Sequence, residues 1–323
     1  MQNNPCADTA DRLSAKADLI LVNPAAGGGH AMEALPALQT YAVRTGWNVV
    51  FRVTSSAQNL CEQARAAAAA GHQRVLILGG DGSFQDLANA LINFPKVVLG
   101  ILPDGCGNDL ANSLGLPQDP IRAAELLRDA DVIVMDAAKV KTSDGKERLF
   151  TGGGGVGLDA EASHIATTHY RGLPGRLRYL FSAARAYAGY KPIQVQLRME
   201  TGDGLQVTLT SKVLLLGVLN TPSYGAGLRF APQANISDGI LDLVLVEDLP
   251  FVEILQALPR LIVQGEVRSP RVRRFSVRRV TIETDHSCRF HGDGEIFGYT
   301  PAEIEIMSQA IRVLRPRSSP SHS

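Results

Sequence analysis

Cysteine is scarce in this 323-residue chain: four thiols, Cys6, Cys61, Cys106 and Cys288, stand far apart. No pair has the spacing of a metal knuckle or a redox C-x-x-C, so the thiols read as reduced and intracellular. Net charge is absent as well. Lys+Arg and Asp+Glu cancel at 32 each, which removes the electrostatic argument for nucleic acid as a partner. No apolar run approaches the ~20 residues that span a bilayer. The opening MQNNPCADTADRLSAKAD lacks the basic and apolar regions of a signal peptide. These absences point to a cytoplasmic protein without a transmembrane segment, whose membrane contact is peripheral, at the inner face. No internal repeat is found.

What the chain does contain is globular: 45% apolar and 20% charged residues, over a length that suits two domains. Apolar runs at Leu19–Val22, Val49–Val53, Val75–Leu78 and Val97–Leu102 read as buried strands. Helical segments at Ala31–Tyr41, Asn59–Ala70 (after a Ser56 cap), Phe84–Ile92 and Ile121–Leu127 separate and follow them. Strand alternating with helix predicts a doubly wound α/β domain with a parallel sheet over 18–130. From about residue 131 the runs Val132–Val140, Ile193–Met199, Leu205–Leu219, Leu241–Val246 and Arg278–Thr284 are β-rich and several alternate. Turn signals at 143–145, 201–204 and 237–239 separate them, and only Leu177–Ala188 and Phe251–Val263 look helical. The expected second domain, 131–315, is a mostly antiparallel β-sandwich. Residues 1–17 and 316–323 are expected to be flexible tails.

Three strand ends of the first domain carry glycine-rich turns: Asn23-Pro24-Ala25-Ala26-Gly27-Gly28-Gly29, Gly79-Gly80-Asp81-Gly82-Ser83, and Asp104-Gly105-Cys106-Gly107-Asn108-Asp109. Ligands of open parallel sheets bind beyond the carboxyl ends of the strands. Glycine lets backbone approach a phosphate there, and helix N-termini offer unpaired amides. One such turn would be a tight βα connection. Three at one end of a sheet make a nucleotide site. Neither a P-loop nor a dinucleotide fingerprint is present. Asp81 beside those amides would be repelled by a triphosphate unless a cation or a proton-donating hydroxyl intervened, so it reads as a Mg²⁺-linked ligand or a base for phosphoryl transfer.

The motifs then resemble one family. GGDGS is shared with phosphofructokinases and GGDG with NAD kinases, which implies a first domain like theirs. "LPDGCGNDLANSLGLP" resembles the L-P-x-G-T-x-N-D-[FL]-A-R segment of the diacylglycerol kinase catalytic domain family, and "VNPAAGGG" its N-P-x-[SA]-G opening. "NTPSYGAGLRFAPQANISDGILDLVLVED" is similar to the P-x-A…D-D-G-x-L-D stretch of bacterial lipid kinases, and "HGDGEIFG" to their D-G-E motif. The likeness covers about residues 18–315.

The resemblance implies an ATP- and Mg²⁺-dependent lipid kinase acting on a hydroxyl of diacylglycerol, phosphatidylglycerol or a sphingoid base at a membrane surface; a homodimer is one assembly it admits. Asn23, Pro24, Ala25, Ala26, Gly27, Thr54, Gly80, Asp81, Gly82, Ser83, Asp86 and Cys106 would contact the nucleotide. Asp238, with Asn235 and Ile240, would hold Mg²⁺. Glu295 would be the base, with Asp293 beside it and Asp81 anchoring the phosphate–metal network, although in sphingosine kinases the aspartate at the Asp81 position is the proposed base. Read locally, Asp293-Gly294 and Asp238-Gly239 are ordinary hairpin turns, and Asn108 and Asp109 could simply cap a helix. Ser83 and Asp86 replace the usual threonine and glutamate, and Cys106 replaces a threonine by a weaker hydrogen-bonding thiol. The alternatives are a kinase of a soluble acceptor, NAD-kinase-like, and a non-catalytic nucleotide- or lipid-binding regulator. The arginines of 268–279 read equally as a headgroup-facing patch or as an exposed strand face.

Overall fold

The computed structural model describes residues 16–105, 107–169, 175–225, 227–250, 252–254, 256 and 269–317. Four strands build the first domain: β1 (Asp18–Val22), β2 (Val49–Val53), β3 (Arg74–Gly79) and β4 (Val98–Pro103), all parallel, in the order β4-β3-β1-β2. Every residue from Leu19 to Val22 and from Val75 to Leu78 is fully buried, which is why these runs carry no alternation. Helices α1 (His30–Thr45), α2 (Ala57–Ala69), α3 (Asp81–Leu91), α4 (Asp109–Ser113) and α5 (Pro120–Arg128) connect them. The Ser56 hydroxyl accepts from the Asn59 amide and Asp119 accepts from Ile121 and Arg122, so α2 and α5 start at side-chain caps. From β1 the chain moves outward to β2 and then crosses back to β3 on the other side. With right-handed crossovers, that reversal puts α1 and α2 on opposite faces. In agreement, α1 packs against α5 and α2 against α3.

The second domain is antiparallel. β8 (Ile193–Thr201), β9 (Gln206–Leu219), β10 (Leu241–Glu247) and β11 (Val272–Thr284) form a closed circuit, because β9 and β11 each pair with β8 along one half and β10 along the other. β8 alternates buried and exposed residues, and Val195, Leu197, Met199, Leu243, Val280 and Ile282 fill the interior. β11 starts six residues earlier than expected, since the arginine-rich stretch is itself strand.

The two domains share one sheet. The strands β5 (Asp131–Lys141) and β14 (Ala302–Arg315) run side by side through both domains. β14 pairs with β11 at one end, and at the other Arg312 and Val313 lie parallel to Val98 and Leu99 of β4. One continuous 14-stranded sheet results, and Met135, Ile311, Val313 and Leu314 belong to the first domain's core. One correction is a helix, α6 (Leu158–Thr168), where none was expected; it precedes α7 (Gly175–Gly189). The expected helix 251–263 falls mostly outside the described residues. The hairpin of β5 with β6 (Glu147–Phe150), the glycine strand β7 (Gly153–Gly157), and the hairpin β12 (Arg289–Gly292) to β13 (Glu295–Tyr299) complete the fold.

Candidate active site

The strand order reverses at β1 and β3, and the crevice beyond their carboxyl ends is a cavity of about 960 Å³. Its floor is made by glycine turns locked to one another. Asn23 accepts from the Ala25 amide at 3.0 Å and donates to Ser83 Oγ at 2.8 Å, which ties the turn after β1 to the turn after β3. Gly80 and Gly105 stand back to back: a Cβ on Gly105 would lie 2.6 Å from the Gly80 Cα. Gly27 has φ 58°, and a side chain there would meet the Asp104 carbonyl at 3.0 Å. Thr54 is buried and donates to the Val22 carbonyl at 3.0 Å. Asn23 to Gly27, Thr54, Gly80 to Ser83 and Asp86 all line this cavity; Cys106 lies outside the described residues.

Asp81 has a second task that sequence reasoning did not find. Its two carboxylate oxygens each accept a backbone amide at 3.1 Å, Oδ2 from Asp109 and Oδ1 from Leu110, so Asp81 caps α4. Asn108, at the cap position, makes no such bond; its φ is 52° and its side chain braces Gly105 and Gln118. Burial first, and the Asp109 charge second, push the Asp81 carboxyl up to about 7 against the pull of those amides. Asp109 reaches across the domain boundary, accepting from Ser223 Oγ at 2.6 Å and from the Gly227 amide at 3.0 Å.

The opposite wall comes from the second domain. Asp293 and Gly294 both have positive φ, 47° and 87°, and form the two-residue turn between β12 and β13. The hairpin reading holds, and the same turn places Asp293 in the cavity wall. Asp293 is anchored: it accepts from the amides of Thr151, Gly152 and Gly153 at 2.8–2.9 Å and from Thr151 Oγ1 at 3.2 Å. Burial raises its carboxyl while these donors act the other way. Glu295 projects into the cavity, 44% exposed, and its Oε2 lies 3.4 Å from Arg148 Nη2. Asp86 faces the same arginine at 3.9 Å. Burial and the Glu295 charge push Asp86 up to about 6, with Arg148 opposing them.

Sequence reasoning also missed Arg148 and Thr151, which no motif spacing marks, and Tyr224, which lies inside the quoted 220–248 stretch without being singled out. Tyr224 lines the cavity and stacks on the fully buried His291, with Asp159 accepting from the tyrosine at 3.1 Å. Asn235, Asp238 and Ile240 stand outside the cavity lining, in a turn of their own: Asp238 accepts from the Ile240 amide at 3.1 Å and Asn235 from the Ser237 amide at 3.2 Å. In the cavity itself the described lining offers the carboxylates of Asp81, Asp86, Asp109, Asp293 and Glu295 and no Lys, Arg or His. That donor set fits a divalent cation entering with a polyphosphate.

Comparison with known proteins agrees with this geometry. Residues 18–140 match the diacylglycerol kinase catalytic domain, and residues 152–315 match the YegS C-terminal NAD kinase beta sandwich-like domain. A diacylglycerol kinase of Mycobacterium tuberculosis is 29% identical over 298 residues, 92% of this chain and 94% of that protein. The probable lipid kinase YegS of Escherichia coli is 28% identical over 283 residues, 85% and 89% of the two chains. A solved diacylglycerol kinase structure from Bacillus anthracis has the same fold, with a TM-score of 0.69 at 21% identity over 96% of this chain and 99% of that one.

Proposed function

Because the chain belongs to the diacylglycerol kinase catalytic domain family, in the two-domain form with a YegS-type C-terminal domain, it is a lipid kinase, and we propose that it transfers the γ-phosphoryl group of ATP to the free hydroxyl of a diacylglycerol. The observation that carries this reading is the meeting, in one cavity, of the glycine turns with the Asp-Gly-Glu hairpin. The turn amides and the N-terminus of α3 suit a polyphosphate. Asp81 would hold the Mg²⁺ that accompanies it, and the ion when bound neutralises phosphate charge.

Glu295 is the base in this reading, by its surroundings. Both oxygens of Asp293 are engaged by four donors, and both of Asp81 by amides. Glu295 keeps open lone pairs toward the cavity. As the acceptor oxygen bonds to the γ-phosphorus and the bond to the ADP oxygen breaks, the hydroxyl proton passes to Glu295. Asp293 holds the hairpin that aims it. The acceptor is delivered from a membrane surface, and no helix among the described residues is long and apolar enough to cross one.

The test is transfer from γ-labelled ATP and Mg²⁺ to mixed micelles of diacylglycerol, phosphatidylglycerol, monoacylglycerol, sphingosine or ceramide. Labelled diacylglycerol product is expected, falling at least about 100-fold in Glu295→Gln. Label on another lipid would replace the substrate class. Label only on soluble acceptors such as NAD would overturn the lipid reading, and a Glu295→Gln variant as fast as the parent would overturn the base.

A further inference from the structure

We propose that Arg148 is a positioning residue for phosphoryl transfer: it aims Glu295 at the acceptor hydroxyl and couples that aim to the nucleotide helix α3. The inference rests on the reading of Glu295 as base. No motif contains Arg148, and it does not line the cavity, yet it is the cation that faces two of the cavity's carboxylates. Its Nη2 stands 3.4 Å from Glu295 Oε2 on β13 and 3.9 Å from Asp86 Oδ1 on α3. From α2, which packs on α3, the Cys61 thiol and Arg65 stand in the same neighbourhood: burial first and the Asp86 charge second push the thiol up, while Arg65 and Arg148 act the other way.

The guanidinium is held before any substrate arrives. Its Cζ lies 4.4 Å over the ring of Phe297, a buried residue of β13 that packs on Phe290 in the second-domain core. The strand carrying it is bolted to α3. The amide of Leu149 donates to Asn89 Oδ1, its carbonyl accepts from Asn89 Nδ2, both at 2.9 Å, and Gln85 Nε2 donates to the same carbonyl at 3.2 Å. Two residues beyond Leu149, Thr151 begins the amide run that grips Asp293. One short segment, 148–153, therefore fixes both ends of the Asp-Gly-Glu turn and rests on the helix that starts at the phosphate-binding loop.

Without Arg148, Glu295 and Asp86 face each other as like charges across the cavity mouth, and the more exposed Glu295 turns away from Asp86. A displaced Glu295 is out of hydrogen-bond reach of the hydroxyl. Arg148 prevents that displacement. Its planar fork and ring stacking are not reproduced by lysine, which supplies charge alone.

The experiment compares parent, Arg148→Gln, Arg148→Lys, Glu295→Gln and the Arg148→Gln/Glu295→Gln double variant in the micelle assay. Expected are a fall in kcat of about 10- to 100-fold for Arg148→Gln and an ATP KM within about twofold of the parent. Arg148→Lys recovers part of the loss, and the double variant is no slower than Glu295→Gln alone. Two results would overturn the proposal: an ATP KM raised tenfold with kcat unchanged, which makes Arg148 a phosphate ligand; or losses that multiply in the double variant. Failure of the lipid-kinase reading shows separately, in the parent protein. In that case urea midpoints of the same single and double variants still decide whether Arg148 and Glu295 are coupled, since additive midpoints would sink the pairing.

Discussion

Replacing Asp86 by asparagine should make the ligand-free protein more stable at neutral pH and no more stable in acid. The carboxyl is pushed up to about 6 in the folded protein, by burial first and by the Glu295 charge second, from an ordinary value of 3.8. Its side chain is only 14% exposed, so little of that shift is lost to solvent screening. A raised carboxyl means that the folded state binds the proton more tightly than the unfolded one. Stability from this group is therefore present below about pH 4 and is lost as pH rises toward 6. Two pH units at about 1.4 kcal/mol each set an upper value near 3 kcal/mol, and about 2 kcal/mol is expected after local relaxation. Asparagine has similar size and helix propensity and does not titrate. Urea unfolding of parent and Asp86→Asn at pH 4 and pH 7.5 measures the difference, in which the other raised carboxyls cancel. A gain equal at both pH values, or no gain at pH 7.5, would refute the reasoning.

Two further changes probe the joints of the site. Asp109→Ala leaves the Ser223 hydroxyl and the Gly227 amide without their acceptor, so a loss of about 1–3 kcal/mol is expected by urea midpoint, together with slower lipid phosphorylation. Gly105→Ala places a methyl 2.6 Å from the Gly80 Cα, which forces the two turns apart. A destabilisation of about 1–3 kcal/mol and a raised ATP KM should follow, and an unchanged KM would show that the turns do not jointly shape the phosphate site.

The first domain was readable because its physics is local. Uniformly buried strands, caps such as Ser56 and Asp119, and glycine turns each leave a mark within a few residues. The cavity's nucleotide wall follows from those marks, since turns at one end of a parallel sheet must meet. The second domain hides more. Helix α6 lies between the glycine strand β7 and a Thr/His-rich end, and its alanines bury into a groove without producing a clear apolar stripe. Arg148 is brought to the site by the register of β6 on β5, and Thr151 and Tyr224 by the links that follow β6 and β9; neither register nor loop path is a sequence pattern. The turn at Asp238 was identifiable in sequence, while its place outside the cavity lining depends on how β10 enters the circuit.

The shared sheet constrains how such an enzyme breathes. Many two-domain kinases close like jaws on a flexible linker, whereas here β5 and β14 form a stiff ribbon welded into both lobes. Opening must be taken up by twisting that ribbon, and the place suited to twist is its bulge between Met307 and Ile311, where Gln309 sits at φ 53° with its amide held by Asp136. Nor can the lobes be separated by cutting the chain near residue 131. The piece so freed would lack Val313 and Leu314 from its core and would expose the edge of β4 to any passing strand.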